Sequence, residues 1–316
     1  MATKKSNTSK KSTKKPTKVS ATKPKTATKT VKKPELEAPK TKTVEKKNET
    51  KSLFKGFFAQ KYEEKESILT IFKNPKFYGA LIGEAVGTML ITLLILSLLP
   101  VGLAWSQSSN ANIAIYALSV IAIIAAVYTF SGACLNPLVT AGMMATRRMS
   151  VIRGFAYIVI EIFGAWLGWL IVSAFSQAGG EAAMDIPALA AIKEDGFWLV
   201  TMIELVGAII IGFFFARALT FKRSVFTFAA IVTGGIMLAC IFGFIVSAAY
   251  VGLNNNMIFN PAIAMMLQIF PTTGANFGEV LGGICQALSA YAIFPMIGGI
   301  IGFYLSDFTS RLSGEN

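Results

Sequence analysis

The stretch Ser131-Gly132-Ala133-Cys134-Leu135-Asn136-Pro137-Leu138-Val139-Thr140-Ala141-Gly142 and its shorter partner Asn260-Pro261-Ala262 decide the fold of this chain. Each sits inside a membrane-grade apolar region, and apolar or small residues follow each Asn-Pro pair. Asn is a preferred N-cap, because its side-chain oxygen accepts from an orphan helix N–H. Pro is favoured at the first helical position, where a missing N–H costs nothing. About ten residues at about 1.5 Å each give about 15 Å, half of a hydrocarbon core of about 30 Å. Two half-helices that begin near mid-membrane are therefore expected. Irregular backbone at that depth survives only when buried in protein or lining a wet cavity. Two such breaks imply a pore or a midplane binding site.

Composition agrees. The 316 residues are 53% hydrophobic and the mean hydropathy is +0.57, far too apolar for a soluble domain. The net charge of +13 would suggest a nucleic-acid binder, but it is confined to one tail. Residues 1–66 hold 20 Lys against 7 Glu, and the remainder of the chain is balanced. The tail, 1–67, is rich in Lys, Thr, Ser and Pro, a composition that cannot offset the entropy of ordering, so it reads as disordered. It contains no apolar segment followed by a small-residue cleavage site, and so does not read as a secretory signal. Three roles stay open for it: a solvated cytoplasmic tail, contact with anionic lipid headgroups, at about 1 kcal/mol per basic residue near the surface, or contact with nucleic acid. The chain has no His, which excludes histidine-based catalysis and His metal sites. Its three cysteines, Cys134, Cys240 and Cys285, lie in apolar segments without metal spacing and read as small core hydrophobes. No nucleophile–base pair or phosphate loop is present, so neither an enzyme nor a cofactor is expected.

Six apolar segments follow the tail, at about 77–99, 113–130, 155–175, 197–216, 226–249 and 287–305, each long enough or nearly so to span. If they alternate, nine of the ten basic residues beyond the tail, Lys73 to Arg311, fall on one side. The other side carries only Lys193 among five acidic residues. The positive-inside rule then places both termini in the cytoplasm. The two halves also repeat. Glu84-Ala85-Val86-Gly87 matches Glu204-Leu205-Val206-Gly207, and Tyr157, Gly164 and Gly168 match Tyr291, Gly298 and Gly302 at identical spacing. Three spans per half invert the second copy in the membrane, an arrangement that puts a functional site near midplane. One Asn-Pro pair would mark an ordinary turn; two at matching places in an inverted repeat mark a site.

These residues resemble the aquaporin and glycerol-facilitator family, the major intrinsic proteins. The stretch from Ser131 to Gly142 is similar to the family's first pore loop, with Cys134 in place of His and Leu138 in place of Ala. Asn260-Pro261-Ala262 is similar to the second, intact. Gly83-Glu84-Ala85-Val86-Gly87-Thr88 resembles the first-span signature, and Tyr291, Pro295 and Gly298 the sixth-span pattern. The resemblance covers about residues 77–306. It implies an all-α membrane protein of six transmembrane helices and two re-entrant half-helices, residues 68–316, assembled as a homotetramer with one pore per subunit in the cell membrane.

The resemblance also implies roles. Asn136 and Asn260 would donate to a passing hydroxyl or water oxygen at paired helix N-termini, where each dipole presents about half a positive charge. That field disfavours cations and interrupts a chain of protons. Pro137, Pro261 and Ala262 would set the helix starts. Glu84 and Glu204 would be scaffold carboxylates for loop N–H groups. Ungapped spacing puts Tyr116, Ala248, Met257 and Ile263 at the outer constriction. Ile263 stands where the family carries Arg, which makes that filter apolar and leaves the proton barrier to the midplane. Ala264 stands where glycerol facilitators often carry Asp, and Glu161 where the family often has Gln. The expectation is a passive channel for small uncharged solutes, glycerol and related polyols foremost, with some water. A water-selective channel is the alternative, and a proton-coupled transporter working through Glu161 the rival from another class.

Overall fold

The computed structural model describes residues 68–98, 110–178, 196–220, 224–249, 257–269 and 277–314. The tail, Trp105, Tyr250, the acidic 181–195 connection with Lys193, and Lys222 and Arg223 lie outside the described residues. Those described are helical or in turns, with no strand among them. A short helix α1, Ile68–Lys73, leads into α2, Pro75–Leu98. Then come α3, Asn110–Ser131, the half-helix α4, Pro137–Ala145, and α5, Val151–Ala178. The second half runs α6, Phe197–Thr220, α7, Val225–Ala249, and the half-helix α8, Pro261–Ile269. It ends with α9, Phe277–Gln286, a π-helical stretch Ala287–Ile293, and α10, Phe294–Leu312. Six helical spans are long and apolar enough to cross a membrane, the last running from Leu281 to Leu312. The half-helices are nine residues each, or about 13 Å.

The expected spans are all present, and the third and sixth exceed the lengths hydropathy indicates by the most. The third begins at Val151 rather than near 155; Arg153 in its first turn is accommodated by the Phe77 ring, with the guanidinium 5.9 Å from the centroid, within reach of a cation–π contact. The sixth begins before 287, because the π-helical stretch continues the helix rather than ending it.

The repeat is visible in packing. The most extensive helix pairs are α6 with α10 and α2 with α5. In the first half, a Cβ at Gly164 would strike the Ala85 carbonyl oxygen, and one at Gly168 the Met89 oxygen. In the second half, Gly298 and Gly302 meet the Leu205 and Ile209 oxygens. The four glycines thus let helix backbones touch at equivalent places, the usual means of close packing where lipid removes the hydrophobic driving force.

The basic residues gather at one end of the bundle. Arg148 makes a two-pronged ion pair with Asp307, at 3.0 and 2.6 Å. Arg217 donates to Ser310 Oγ at 2.7 Å. These bonds tie the turn after α4 and the end of α6 to the last turns of α10. The Tyr304 hydroxyl donates to the Ala145 carbonyl at 2.7 Å, which satisfies a carbonyl at the C-terminal end of α4.

Replacing Gly164 or Gly298 with Ala is expected to lower thermal stability in detergent by about 1–3 kcal/mol, as overpacking does. Gly79→Ala is the control: nothing lies within 4 Å of a Cβ there, so helix propensity predicts a gain of about 0.5–1 kcal/mol. Thermal denaturation of the three variants checks both signs.

Candidate functional site

Both Asn-Pro loops are held by the same set of bonds. The chain leaves α3 through Gly132, Ala133 and Leu135, with φ of 88°, 53° and 52°. Phe259 takes the matching position in the second loop, with φ of 52°. Left-handed backbone at a bulky residue costs about 1–3 kcal/mol and persists only where the surroundings enforce it. Two carboxylates do so. Glu84 accepts from the N–H groups of Cys134 at 3.0 Å and Leu135 at 2.6 Å. Glu204 accepts from those of Ile258 at 2.7 Å and Phe259 at 3.1 Å. The side chains of the left-handed residues need room, and glycine provides it: a Cβ at Gly87 would overlap Leu135, and one at Gly207 would overlap the Phe259 ring.

The carbonyls of the same two residues accept bonds from the opposite loop. Asn260 Nδ2 donates to the Leu135 oxygen at 3.0 Å, and Asn136 Nδ2 donates to the Phe259 oxygen at 2.8 Å. Each Asn Oδ1 meanwhile caps its own half-helix. Asn136 accepts from the Leu138 N–H and Asn260 from the Ala262 N–H, both at 3.1 Å. An amide carries two donor hydrogens. One on each Asn is committed across the interface, which leaves one uncommitted among the described residues.

The two asparagines line a cavity of about 50 Å³. A single water needs about 10–15 Å³ measured this way, so the space suits a short file of small molecules. Ile91, Ile95, Tyr116, Val139, Phe215 and Cys240 are among the residues that line it. Among the described residues, no charged one lines it. Its polarity comes from the Asn amides, the loop backbone, two thiols and the Tyr116 hydroxyl. Two half-helix N-termini begin at its wall, each adding about half a positive charge.

The other expected site residues are distributed as follows. Pro137, Pro261 and Ala262 are buried at the half-helix starts, and Glu84 and Glu204 are buried where they bind the loops. Tyr116 lines the cavity. Ile263 is fully enclosed as the third residue of α8 and is not part of that lining. Met257 is partly buried, its sulfur against Gly243. Ala248 belongs to the last turn of α7, and its side chain lies outside the described residues. Glu161 is off the cavity lining and accepts from the Thr140 hydroxyl at 2.7 Å. Sequence reasoning missed Leu135, Phe259 and the lining Cys240. The available signal for the first two was a glycine three residues after each buried Glu, at 87 and 207.

The family model of the major intrinsic proteins matches residues 71–305. The chain belongs to that family. Among curated relatives, this major intrinsic protein is 30% identical over 161 residues to Aquaporin PIP1-1 of Oryza sativa subsp. japonica, covering 48% of this chain and 54% of that one. It is 30% identical over 161 residues to Aquaporin PIP1-2 of Zea mays, with the same coverage. The chain thus spans about half the length of the curated relatives it matches. Among solved structures, the aquaglyceroporin from Plasmodium falciparum aligns with a TM-score of 0.47 and 16% identity, over 74% of this chain and 95% of that one.

Glu204→Gln replaces one acceptor oxygen with a donor facing the Ile258 and Phe259 N–H groups. It is expected to cost about 2–3 kcal/mol of stability, more than Thr201→Ser elsewhere on α6. Chemical or thermal denaturation in detergent checks this, and an unchanged midpoint would remove Glu204 from the scaffold.

Proposed function

We propose that this protein is a passive channel for small uncharged solutes, most of all glycerol and related polyols, with some water passing. One observation carries the reading: an uncharged, mostly apolar cavity into which two helix N-termini and two Asn amides are presented. The spare amide hydrogens of Asn136 and Asn260 replace water for a hydroxyl oxygen, while the apolar remainder accepts a carbon skeleton. The two dipoles oppose cations and hydronium at the same point, which supplies a proton barrier although Ile263 replaces the family's Arg. Tyr116, Met257 and Ala248 form the outer filter in this proposal, without the enclosed Ile263, and Glu161 takes no part in coupled transport. The channel sits in the cell membrane as a homotetramer, both termini cytoplasmic.

The narrowness of the cavity favours a second reading, water selectivity, and the matched relatives are named aquaporins. Purified protein in lipid vesicles separates the two. Under an inward glycerol gradient, swelling faster than that of empty vesicles is expected. Fast osmotic shrinkage with glycerol entry at the empty-vesicle rate would replace the glycerol reading with the water one. Tyr116→Ala is expected to raise entry of longer polyols relative to water, and no change in that ratio would take Tyr116 out of the filter.

A further inference from the structure

The interlock is symmetric, and one carboxyl group stands outside it. Glu161 is fully buried on α5 and accepts from Thr140 Oγ1 at 2.7 Å. Thr140 is itself fully buried, one turn into α4, and its N–H donates to the Asn136 carbonyl at 3.1 Å. Through Thr140, Glu161 is therefore linked to the first turn that follows Asn136. Its second oxygen, Oε2, is enclosed and has no hydrogen-bond partner among the described residues. A buried polar atom left so is costly and calls for a reason.

The second repeat shows what this device is not. At the positions equivalent to Thr140 and Glu161 stand Ala264 and Pro295. Neither can make the bond, yet Asn260 caps its half-helix and reaches across to partners equivalent to those of Asn136. The bond is therefore not a requirement for forming a half-helix of this kind. It is an addition to one side of the pore.

We propose that Glu161 is a positioning residue for permeation: through Thr140 it fixes the first half-helix against α5 and so sets where the free Asn136 amide hydrogen stands in the cavity. A carbonyl oxygen at Oε1 suffices for this role. The proposal rests on the channel reading given above.

Its test is the ratio of glycerol to water permeability in vesicles holding equal amounts of folded protein, for Glu161→Gln, Glu161→Leu, Thr140→Val and the Glu161→Leu/Thr140→Val double variant. Glu161→Gln keeps the acceptor and is expected to hold the ratio of the unsubstituted protein. Glu161→Leu and Thr140→Val are each expected to shift it about three- to tenfold, the size of one lost buried bond. The double variant should be no worse than either single one, because both remove the same interaction. Additive effects of the two positions, or a ratio unmoved by Thr140→Val, would overturn the proposal. So would a shift in Glu161→Gln as large as that of Thr140→Val. Thr140→Val is close to isosteric, so it decides the matter even if Glu161→Leu does not fold. Failure of the unsubstituted protein to pass either solute sinks the channel reading instead, and is seen before any variant is compared.

Discussion

Two carboxylates buried in a membrane domain hold four backbone N–H groups, and the rest of the structure follows from that. A half-helix that starts at midplane exposes backbone donors where no lipid can accept them. Each unsatisfied group there costs on the order of several kcal/mol. Glu84 and Glu204 take the N–H groups of the two residues before each Asn, and the left-handed turn that this enforces aims the Leu135 and Phe259 carbonyls at the opposite loop. Those carbonyls then receive the Asn amides. Removing either Asn leaves a buried partner unpaired in both repeats, and removing either Glu unpairs the N–H groups of its own loop. The constraint also dictates which spans are central. A span carrying such a carboxylate must face inward, and α6 is the most enclosed of the six, with 56% of its apolar window buried, followed by α2 at 39%.

The approximate two-fold symmetry of this network is kept at the midplane and broken away from it. Tyr157 donates to the Ser131 carbonyl at 3.1 Å, whereas the hydroxyl of its equivalent, Tyr291, has no partner among the described residues. Tyr291 lies in the π-helical stretch, and such insertions in a helix concentrate at functional sites. The first half-helix is tied down at its far end by Tyr304 and by the Arg148–Asp307 pair, and along its side by Glu161. The two sides of the cavity thus share one selector geometry but differ in how firmly it is mounted.

Much of this was readable from residue types and spacing. Span lengths, the two caps, the buried carboxylates and the glycines facing them all follow local rules. The dipeptide itself was not the signal. Asn74-Pro75 makes the same cap before α2, with Asn74 Oδ1 accepting from the Lys76 N–H at 3.0 Å, and it marks only a helix start. Position in the repeat separated it from the other two. The cross-loop bonds were not legible, because their acceptors are backbone carbonyls at Leu135 and Phe259. Those are bulky residues, and local rules assign left-handed turns to Gly or Asn. Ile263 failed differently. Linear spacing places it at an opening, but the third residue of α8 turns into the packing and its side chain is enclosed. Helix phase, not distance along the chain, decides such positions.

An uncharged wall changes what the midplane must accomplish. A fixed cation in a narrow pore repels other cations over its whole Debye-unscreened neighbourhood, whereas a helix dipole acts within about its first turn. On the proposed channel reading, and with no charged side chain among the described residues of the lining, the barrier to protons is short and sits where both Asn amides converge. A barrier that short depends on alignment, since a small displacement of either half-helix moves its dipole and its amide together. Rigid mounting of α4 and α8 is then part of the selectivity itself. That is the physical reason for spending buried carboxylates, and their desolvation, on backbone N–H groups rather than on the solute.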